Sequence, residues 1–253
     1  FGLAGGAGHY NTARWDEAND TWPGGQRLYR FNGTSWSSKT PLPILVGVGA
    51  ALSANGDGYL YALVGDGSSD SYRYSIAANT WEALANMAST TRGSALASAG
   101  GTLYAMSGGE AQRLYRYTGS SWVVADTTST SEPQSRAGAD LVWDGRDALY
   151  ALTGRQDTLW RFRLDDRVWE QMDDPGLFGS AVYGRGLARY GQDLYAYLSP
   201  SGGGNDTFNK CASVGVSNSR LVLEATALVA HQSAGAPVWL SPVHPPVDFG
   251  WVD

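Results

Sequence analysis

Several residue types are scarce in this chain, and each scarcity excludes a class of protein. The single cysteine, Cys211, excludes an internal disulfide framework and a zinc site of paired cysteines. Only 17% of the residues are charged and the formal net charge is −6, so the chain lacks the clustered cations of a nucleic-acid surface. The longest apolar run, 44–52, falls far short of the roughly 20 residues that span a bilayer. We therefore expect no nucleic-acid partner and no membrane span.

Glycine and aromatic residues are abundant instead. The 253 residues include 33 glycines, 14 tyrosines and 10 tryptophans, and 43% are hydrophobic. This mixture favours short strands joined by tight turns, and the hydrophobic share is large enough for a packed core. No amphipathic helix of useful length is visible in the pattern. We predict an all-β protein that forms a single domain over 1–253.

Three short patterns recur along the chain with one period of about 45 residues. The first is an apolar residue followed by a tyrosine and an alanine, with its tyrosines at Tyr61, Tyr104, Tyr150 and Tyr195. The second is an arginine between two aromatic residues, which occurs four times, at Arg30, Arg73, Arg116 and Arg161. The third is a tryptophan that closes each unit, at Trp36, Trp81, Trp122 and Trp169. The shared period indicates repeats of one supersecondary unit.

Each repeat is predicted to contain four short strands, named a to d in chain order. In the clearest repeat these strands are 93–99, 102–107, 113–118 and 122–125. Gly100-Gly101 supplies the hairpin turn between a and b. We also place Gly47, Gly49 and Ala50 in strand a of the preceding repeat, because bulky side chains do not fit beside the axis of a ring. Units of this length with four strands are typical of β-propeller blades.

The repeat at 87–125 resembles a kelch repeat. It has an arginine before strand a (Arg92), a di-glycine after strand b (108–109), and then an aromatic residue and a tryptophan (Tyr117 and Trp122). The resemblance extends over residues 28 to about 198, although the other repeats lack a complete di-glycine. It implies a β-propeller fold and leaves the function open, because propellers host many functions.

The two ends of the chain are predicted to share one blade. Residues 1–6 match strand b of a repeat, and residues 7–27 are then an insertion in the b–c loop. The period places the missing strand a at Thr226–Ala230. A diverged repeat at about 180–224 brings the number of blades to five, with six as the alternative. The proline-rich tail, 241–253, is expected to be irregular.

Candidate ligand residues gather at the end of the blades that carries the b–c and d–a connections. They are two arginines before strand a, an acidic residue after the di-glycine and three aromatic residues of the insertion: Arg92, Arg136, Glu110, Tyr10, Trp15 and Trp22. Exposed aromatic rings stack on sugars or proteins, and arginine supplies directional hydrogen bonds. Two alternatives stay open: the insertion buries its tryptophans over the ring, and the arginines bind loop carbonyls.

Two other patterns are interpreted as structural. The arginine on strand c recurs in every repeat, which favours stacking on an aromatic ring or pairing with an acid between blades. Asp66, Ser68 and Asp70 alternate as in a calcium-binding loop, but the later glycine and glutamate of an EF-hand are absent. We expect no metal ion and no cofactor.

No catalytic motif is recognisable, so we predict a non-enzymatic binding or assembly module. Its ligand is expected to be a glycan or a protein, including another copy of itself. The chain begins at Phe1 instead of methionine, which suggests either a processed product or a fragment of a longer chain, and we expect an extracellular or cell-surface location. The kelch resemblance implies an alternative, a carbohydrate-active enzyme in which Arg92, Arg136 and Glu110 act on sialic acid. Some proteins with similar kelch-like propellers are copper radical oxidases, but these enzymes are much larger than this chain.

Overall fold

A computed structural model of the chain describes residues 2–4, 26–91, 93–109, 113–125, 133–134, 139–153, 158–172, 185–190, 193–198, 207–211 and 228–229. All regular elements in these ranges are β-strands, so the predicted all-β class is confirmed. These ranges contain no helix with the length and apolar character needed to cross a membrane.

The strands form five antiparallel sheets, and within each sheet they pair in chain order. Sheet 1 contains β1 (Gly2–Ala4), β2 (Arg27–Phe31) and β3 (Trp36–Lys39). Sheet 2 contains β4 (Ala51–Ala54), β5 (Tyr59–Leu63), β6 (Ser71–Ser75) and β7 (Thr80–Ala83). Sheet 3 contains β8 (Ser94–Ala99), β9 (Thr102–Ser107), β10 (Leu114–Tyr117) and β11 (Trp122–Val124). Sheet 4 contains β12 (Ala139–Trp143), β13 (Ala148–Thr153), β14 (Leu159–Arg163) and β15 (Trp169–Gln171). Sheet 5 contains β16 (Arg185–Tyr190), β17 (Asp193–Leu198), β18 (Thr207–Cys211) and β19 (Leu228–Val229).

Sheet 3 shows how the sequence determines a repeat. Its four strands agree with the predicted ones to within one residue at each end. Gly100 and Gly101 have φ of +56° and +82°, which are the left-handed values that a two-residue hairpin turn requires. The di-glycine therefore fixes where β8 ends and β9 begins.

Consecutive sheets pack face to face. We call the face turned to the preceding sheet the rear face and the face turned to the next sheet the front face. In sheet 3, Leu96 and Leu103 lie on the rear face in the core shared with sheet 2, and Ala97 and Met106 lie on the front face in the core shared with sheet 4. The first strands of sheets 2 to 5 also contact one another in sequence. This arrangement is consistent with the blades of a propeller-like fold.

The tryptophan that closes each repeat occupies the same position in four sheets. It lies directly opposite the last aromatic residue of the preceding strand. The pairs are Phe31–Trp36, Tyr74–Trp81, Tyr117–Trp122 and Phe162–Trp169, with ring centroids 5.2, 5.1, 5.1 and 5.0 Å apart. Such cross-strand aromatic pairs stabilise a sheet and fix its register. The repeats seen in the sequence are therefore structurally equivalent.

The placement of Gly47, Gly49 and Ala50 in a first strand is wrong. β4 begins at Ala51, and the three residues form a turn in front of it. The amide of Gly47 donates to the carbonyl of Val64 at 2.9 Å, and Gly49 has a φ of +88°. These small residues serve a tight turn over the end of β5, where a left-handed backbone is needed, and crowding at an axis is not the reason for them.

The placement of Thr226–Ala230 as the first strand of the first repeat is also wrong. Leu228–Val229 pairs with β18 and becomes the fourth strand of sheet 5. The backbone groups at the outer edge of β18 are free to pair with a further strand, and β19 uses them. Sheet 1 consequently has three strands within the described residues. The insertion up to residue 25 and the tail 241–253 lie outside them.

Candidate functional site

The predicted ligand residues all lie outside the described residues: Arg92, Glu110, Arg136, Tyr10, Trp15 and Trp22. Their convergence therefore remains a prediction. Arg92 and Glu110 directly follow Thr91 and Gly109, which belong to the described surface. We call this the upper end, the end of sheets 2 and 3 that carries the 65–70 loop, the 84–93 connection and Gly109.

The upper end of sheet 2 is held together by Thr90, which is fully buried. Its hydroxyl accepts a hydrogen bond from the amide of Gly65 at 2.9 Å and donates one to the carbonyl of Ser68 at 2.9 Å. Its backbone amide donates to the same Ser68 carbonyl at 2.7 Å, and the amide of Gly67 donates to the Thr90 carbonyl at 2.8 Å. These bonds fasten the connection to the 65–70 loop, so Thr91 follows a rigid support.

A polar atom without a partner lies next to this support. The hydroxyl of Thr91 is buried and makes no hydrogen bond within the described structure, while its amide donates to the carbonyl of Ser107 at 2.9 Å. Gly109 lies beside it, since a Cβ at Gly109 would come within 2.6 Å of that hydroxyl oxygen. A buried hydroxyl left unpaired costs about 1–3 kcal/mol. The hydroxyl is therefore a polar group that the described residues leave without a hydrogen-bond partner.

The first strand of sheet 4 carries a carboxylate where the other sheets have small residues. The equivalent register positions are Ala51, Ala95 and Gly186. Oδ2 of Asp140 accepts a hydrogen bond from the amide of Leu187 in sheet 5 at 2.7 Å, and Oδ1 accepts one from the amide of Leu141 at 2.8 Å. Burial raises the pKa of Asp140, and these two amides oppose the rise. Asp140 therefore ties sheet 4 to sheet 5.

Sequence reasoning missed both Thr91 and Asp140. A signal existed for Asp140, because aligned first strands place a charged residue among alanines and glycines. For Thr91 no comparable signal exists, because an unpaired hydroxyl becomes visible only when its surroundings are known.

The acidic loop, 66–70, forms bonds of its own. The Ser68 hydroxyl donates to Oδ2 of Asp70 at 2.9 Å and accepts from the Asp70 amide at 3.0 Å. Asp66 has a φ of +54°, and its amide donates to the carbonyl of Val48 at 2.9 Å. In the part of the chain that the structure describes, no three His, Cys, Asp or Glu side chains come together as a metal site. Its turn geometry alone accounts for this loop.

Arg73 shows what the repeated arginine does in sheet 2. Its guanidinium forms an ion pair with Glu82 at 2.7 Å and lies over the ring of Tyr59 at 4.8 Å. The role is architectural, as we predict, but the acid belongs to the same sheet and not to a neighbouring one. Because both side chains are substantially exposed, the ion pair contributes only about 0.2–1 kcal/mol.

The opposite end of sheets 2 and 3 contains a hydrogen-bond network around Asp57. Its carboxylate accepts bonds from the Tyr61 hydroxyl at 2.7 Å and the Tyr59 amide at 3.1 Å, and the Asn55 side chain reaches the carbonyl of Gly101 in sheet 3 at 2.9 Å. Burial alone would raise the pKa of Asp57, but these donors outweigh it and lower the pKa. Burial and the bond to Asp57 raise the pKa of Tyr61 to about 12. This network joins two sheets, which leaves the upper end as the candidate site.

Comparisons with known proteins inform the fold alone. No family model matches the chain, and no curated protein matches it. Among solved structures, a luciferin-regenerating enzyme is similar over 78% of this chain and 74% of its own, with a TM-score of 0.51 and 14% identity. That similarity agrees with the series of antiparallel sheets and, at this identity, says nothing about activity.

Proposed function

We propose that this chain is a non-enzymatic binding and assembly module, located outside the cell or on its surface, whose ligand is a protein or a glycan. We further propose that its sheets are the blades of a kelch-like β-propeller, with five blades and six as the alternative. The equivalent aromatic pairs in four sheets and the sequential packing of faces support this architecture. A scaffold of this kind holds its loops rigidly and so suits recognition at one end.

The unpaired, buried hydroxyl of Thr91 beside Gly109 is the observation that carries the binding proposal. Thr90 anchors the chain at Thr91. In the sequence, Arg92 directly follows Thr91 and Glu110 directly follows Gly109. A hydroxyl next to chain positions that bear arginine and glutamate offers donors and acceptors to a sugar or a protein loop.

A glycan array tests the glycan form of the proposal. We expect the wild-type protein to bind a subset of glycans, and Arg92→Ala to weaken that binding at least tenfold because a directional donor is lost. Arg146→Ala is the matched control, because Arg146 is an exposed arginine of the β12–β13 hairpin, far from the upper end in the topology. Absence of binding across a broad panel would exclude a glycan ligand. Equal losses in both variants would exclude the upper end as the site.

A second candidate function is the carbohydrate-active enzyme, and Asp140 is the observation that favours it. A carboxyl group whose pKa is raised by burial suits a general acid, and Arg136 precedes it by four residues. Turnover of a fluorogenic sialoside, abolished in Asp140→Asn, is the result this candidate requires. No turnover by the wild-type protein would eliminate it.

A further inference from the structure

The hairpin between β2 and β3 carries a triplet that is typical of a modification site. Asn32-Gly33-Thr34 fits the Asn-X-Ser/Thr pattern of N-linked glycosylation. The same pattern occurs at Asn19 and Asn205, which lie outside the described residues. Because such triplets arise often by chance, the structural setting has to decide whether one of them is a site.

The hairpin presents the side-chain amide of Asn32 to solvent. Residues 32–35 are all exposed. The side-chain oxygen of Asn32 accepts hydrogen bonds from the amides of Thr34 at 2.9 Å and Ser35 at 2.8 Å. Gly33 has a φ of +97° and open space around it, so nothing crowds the side of the turn. The two bonds therefore fix the carboxamide through its oxygen and leave its nitrogen, Nδ2, accessible.

The aromatic pair that flanks this hairpin is exposed, although its equivalents are covered. The rings of Phe31 and Trp36 lie 5.2 Å apart, and they are 45% and 61% exposed. In sheet 4 the equivalent Trp169 is only 5% exposed. In sheet 3 the indole nitrogen of Trp122 donates to the hydroxyl of Ser71 in sheet 2 at 3.2 Å. Sheet 1 therefore combines the triplet with an aromatic surface that is open to solvent.

We propose that Asn32 is a site of N-linked glycosylation and that the first sugar of the glycan packs on the Phe31–Trp36 pair. The donor is an oligosaccharide attached to a lipid pyrophosphate. In the transfer, Nδ2 of Asn32 bonds to C1 of the sugar and loses one proton, and the bond from C1 to the pyrophosphate breaks. The pyrophosphate leaves with the electron pair of that bond. This inference rests on the extracellular location in the proposed function, because the donor and its transferase act on secreted chains.

The position of the hairpin is compatible with the other parts of the proposed function. The first strands of sheets 2 to 5 contact one another, so the last strands lie on the outside of the series. The β2–β3 hairpin joins the last two strands of sheet 1 at the end opposite the upper end. A glycan there leaves the candidate ligand site open, and it shields an apolar surface from water.

Sheet 3 supplies a matched control hairpin. Residues 118–121 lie between the Tyr117–Trp122 pair as residues 32–35 lie between Phe31 and Trp36. Gly119 has a φ of +96°, and the hydroxyl of Thr118 accepts a hydrogen bond from the amide of Ser121 at 3.1 Å. Thr118→Asn therefore creates the same triplet on the same turn, next to a tryptophan that is already bonded to sheet 2.

Secretion of the full chain from a glycosylating eukaryotic cell tests the modification. The glycan is released with a peptide N-glycosidase in heavy-oxygen water, which converts a glycosylated asparagine to labelled aspartate. We expect peptide mass spectrometry to find this label at Asn32 in most molecules. Thr34→Ser should keep the modification and Thr34→Ala should abolish it. An unmodified Asn32 in the secreted, folded protein would overturn the proposal.

Thermal melting before and after release of the glycan tests the packing on the aromatic pair. Release should lower the melting temperature by about 2–4 °C more in the wild type than in the double variant Thr34→Ala/Thr118→Asn. Trp36→Ala should stay glycosylated and lose this difference. Equal shifts in all three proteins would overturn the packing. A chain without a glycan at Asn32 that still binds its ligand through the upper end would overturn this inference alone and leave the proposed function standing.

Discussion

Asp140 offers the most direct test of how the sheets are joined. Its carboxylate accepts hydrogen bonds from the amides of Leu187 at 2.7 Å and Leu141 at 2.8 Å, and the first of these crosses from sheet 4 to sheet 5. In Asp140→Ala both amides lose their acceptor, and the Leu187 amide is left in a partly buried contact between two sheets. Hydrogen bonds to a charged group contribute about 1.5–3 kcal/mol, and removing the buried carboxylate recovers part of that through relieved desolvation.

We therefore expect Asp140→Ala to lower the free energy of unfolding by about 2 kcal/mol. For a chain of this length that loss corresponds to a melting temperature lower by roughly 4–8 °C. Asp140→Asn retains an acceptor oxygen, so it should lose about half as much. Asp147→Ala is the matched control, because Asp147 is an exposed aspartate in the hairpin of the same sheet. It should change stability by less than about 0.5 kcal/mol.

Urea unfolding gives the free energies, and hydrogen exchange locates the effect. The Leu187 amide should exchange about thirtyfold faster in Asp140→Ala, which is the rate equivalent of 2 kcal/mol. The pH dependence has a definite sign. Because burial raises the folded pKa of Asp140 above 3.8, the folded state favours the protonated carboxyl, so the wild type should lose part of its stability advantage over Asp140→Ala as the pH rises from 3.8 through the folded pKa. If Asp140→Ala and Asp147→Ala were equally stable and the Leu187 amide exchanged at the wild-type rate, the proposed role of Asp140 in joining sheets 4 and 5 would be refuted.

Two further predictions concern the ends of sheets 2 and 3. Gly109→Ala should lower the free energy of unfolding by about 1–3 kcal/mol, because the φ of Gly109 is +66° and the new Cβ would come within 2.6 Å of the Thr91 hydroxyl. Gly119 has a φ of +96° but open space around it, so Gly119→Ala should lose only about 1 kcal/mol. Urea unfolding measures both losses. Equal losses would contradict the assigned crowding. Asp57→Asn should flatten the acid limb of the stability curve, because the lowered pKa of Asp57 gives stability that is present above pH 3.8 and lost as the pH falls through the folded pKa. An unchanged acid limb would show that the Tyr61 bond does not favour the charged form.

The strands of the regular repeats could be predicted because local features determine them. Gly100 and Gly101 fix a turn, and the Tyr117–Trp122 pair fixes the register of the two strands that follow. Because the repeats share one pattern, the strand positions found in one repeat also predict the strands of the others. Such information lies within about forty residues of sequence, so no knowledge of the tertiary structure is required.

The remaining features depend on contacts that the sequence does not show. Gly47 resembles a strand residue in composition, but its role is set by the end of β5, which passes over it. Leu228–Val229 is short and could pair with any open edge, so its partner β18 is decided by the tertiary arrangement. The bond from Leu187 to Asp140 joins residues 47 positions apart in different sheets, which a repeat pattern cannot reveal.

The tryptophan that closes a repeat reaches back to the sheet before it, and this has a consequence for how such a chain can change in length. In sheets 2 and 3 the repeat brings the donor, Trp81 or Trp122, and the acceptors, the Thr40 carbonyl and the Ser71 hydroxyl, belong to the repeat before it. A duplication of one whole repeat would supply a donor and a receiver together and would need no adjustment elsewhere. A duplication that began or ended inside a repeat would separate them and leave an indole without its acceptor. Growth by whole units is therefore the change that this construction tolerates best.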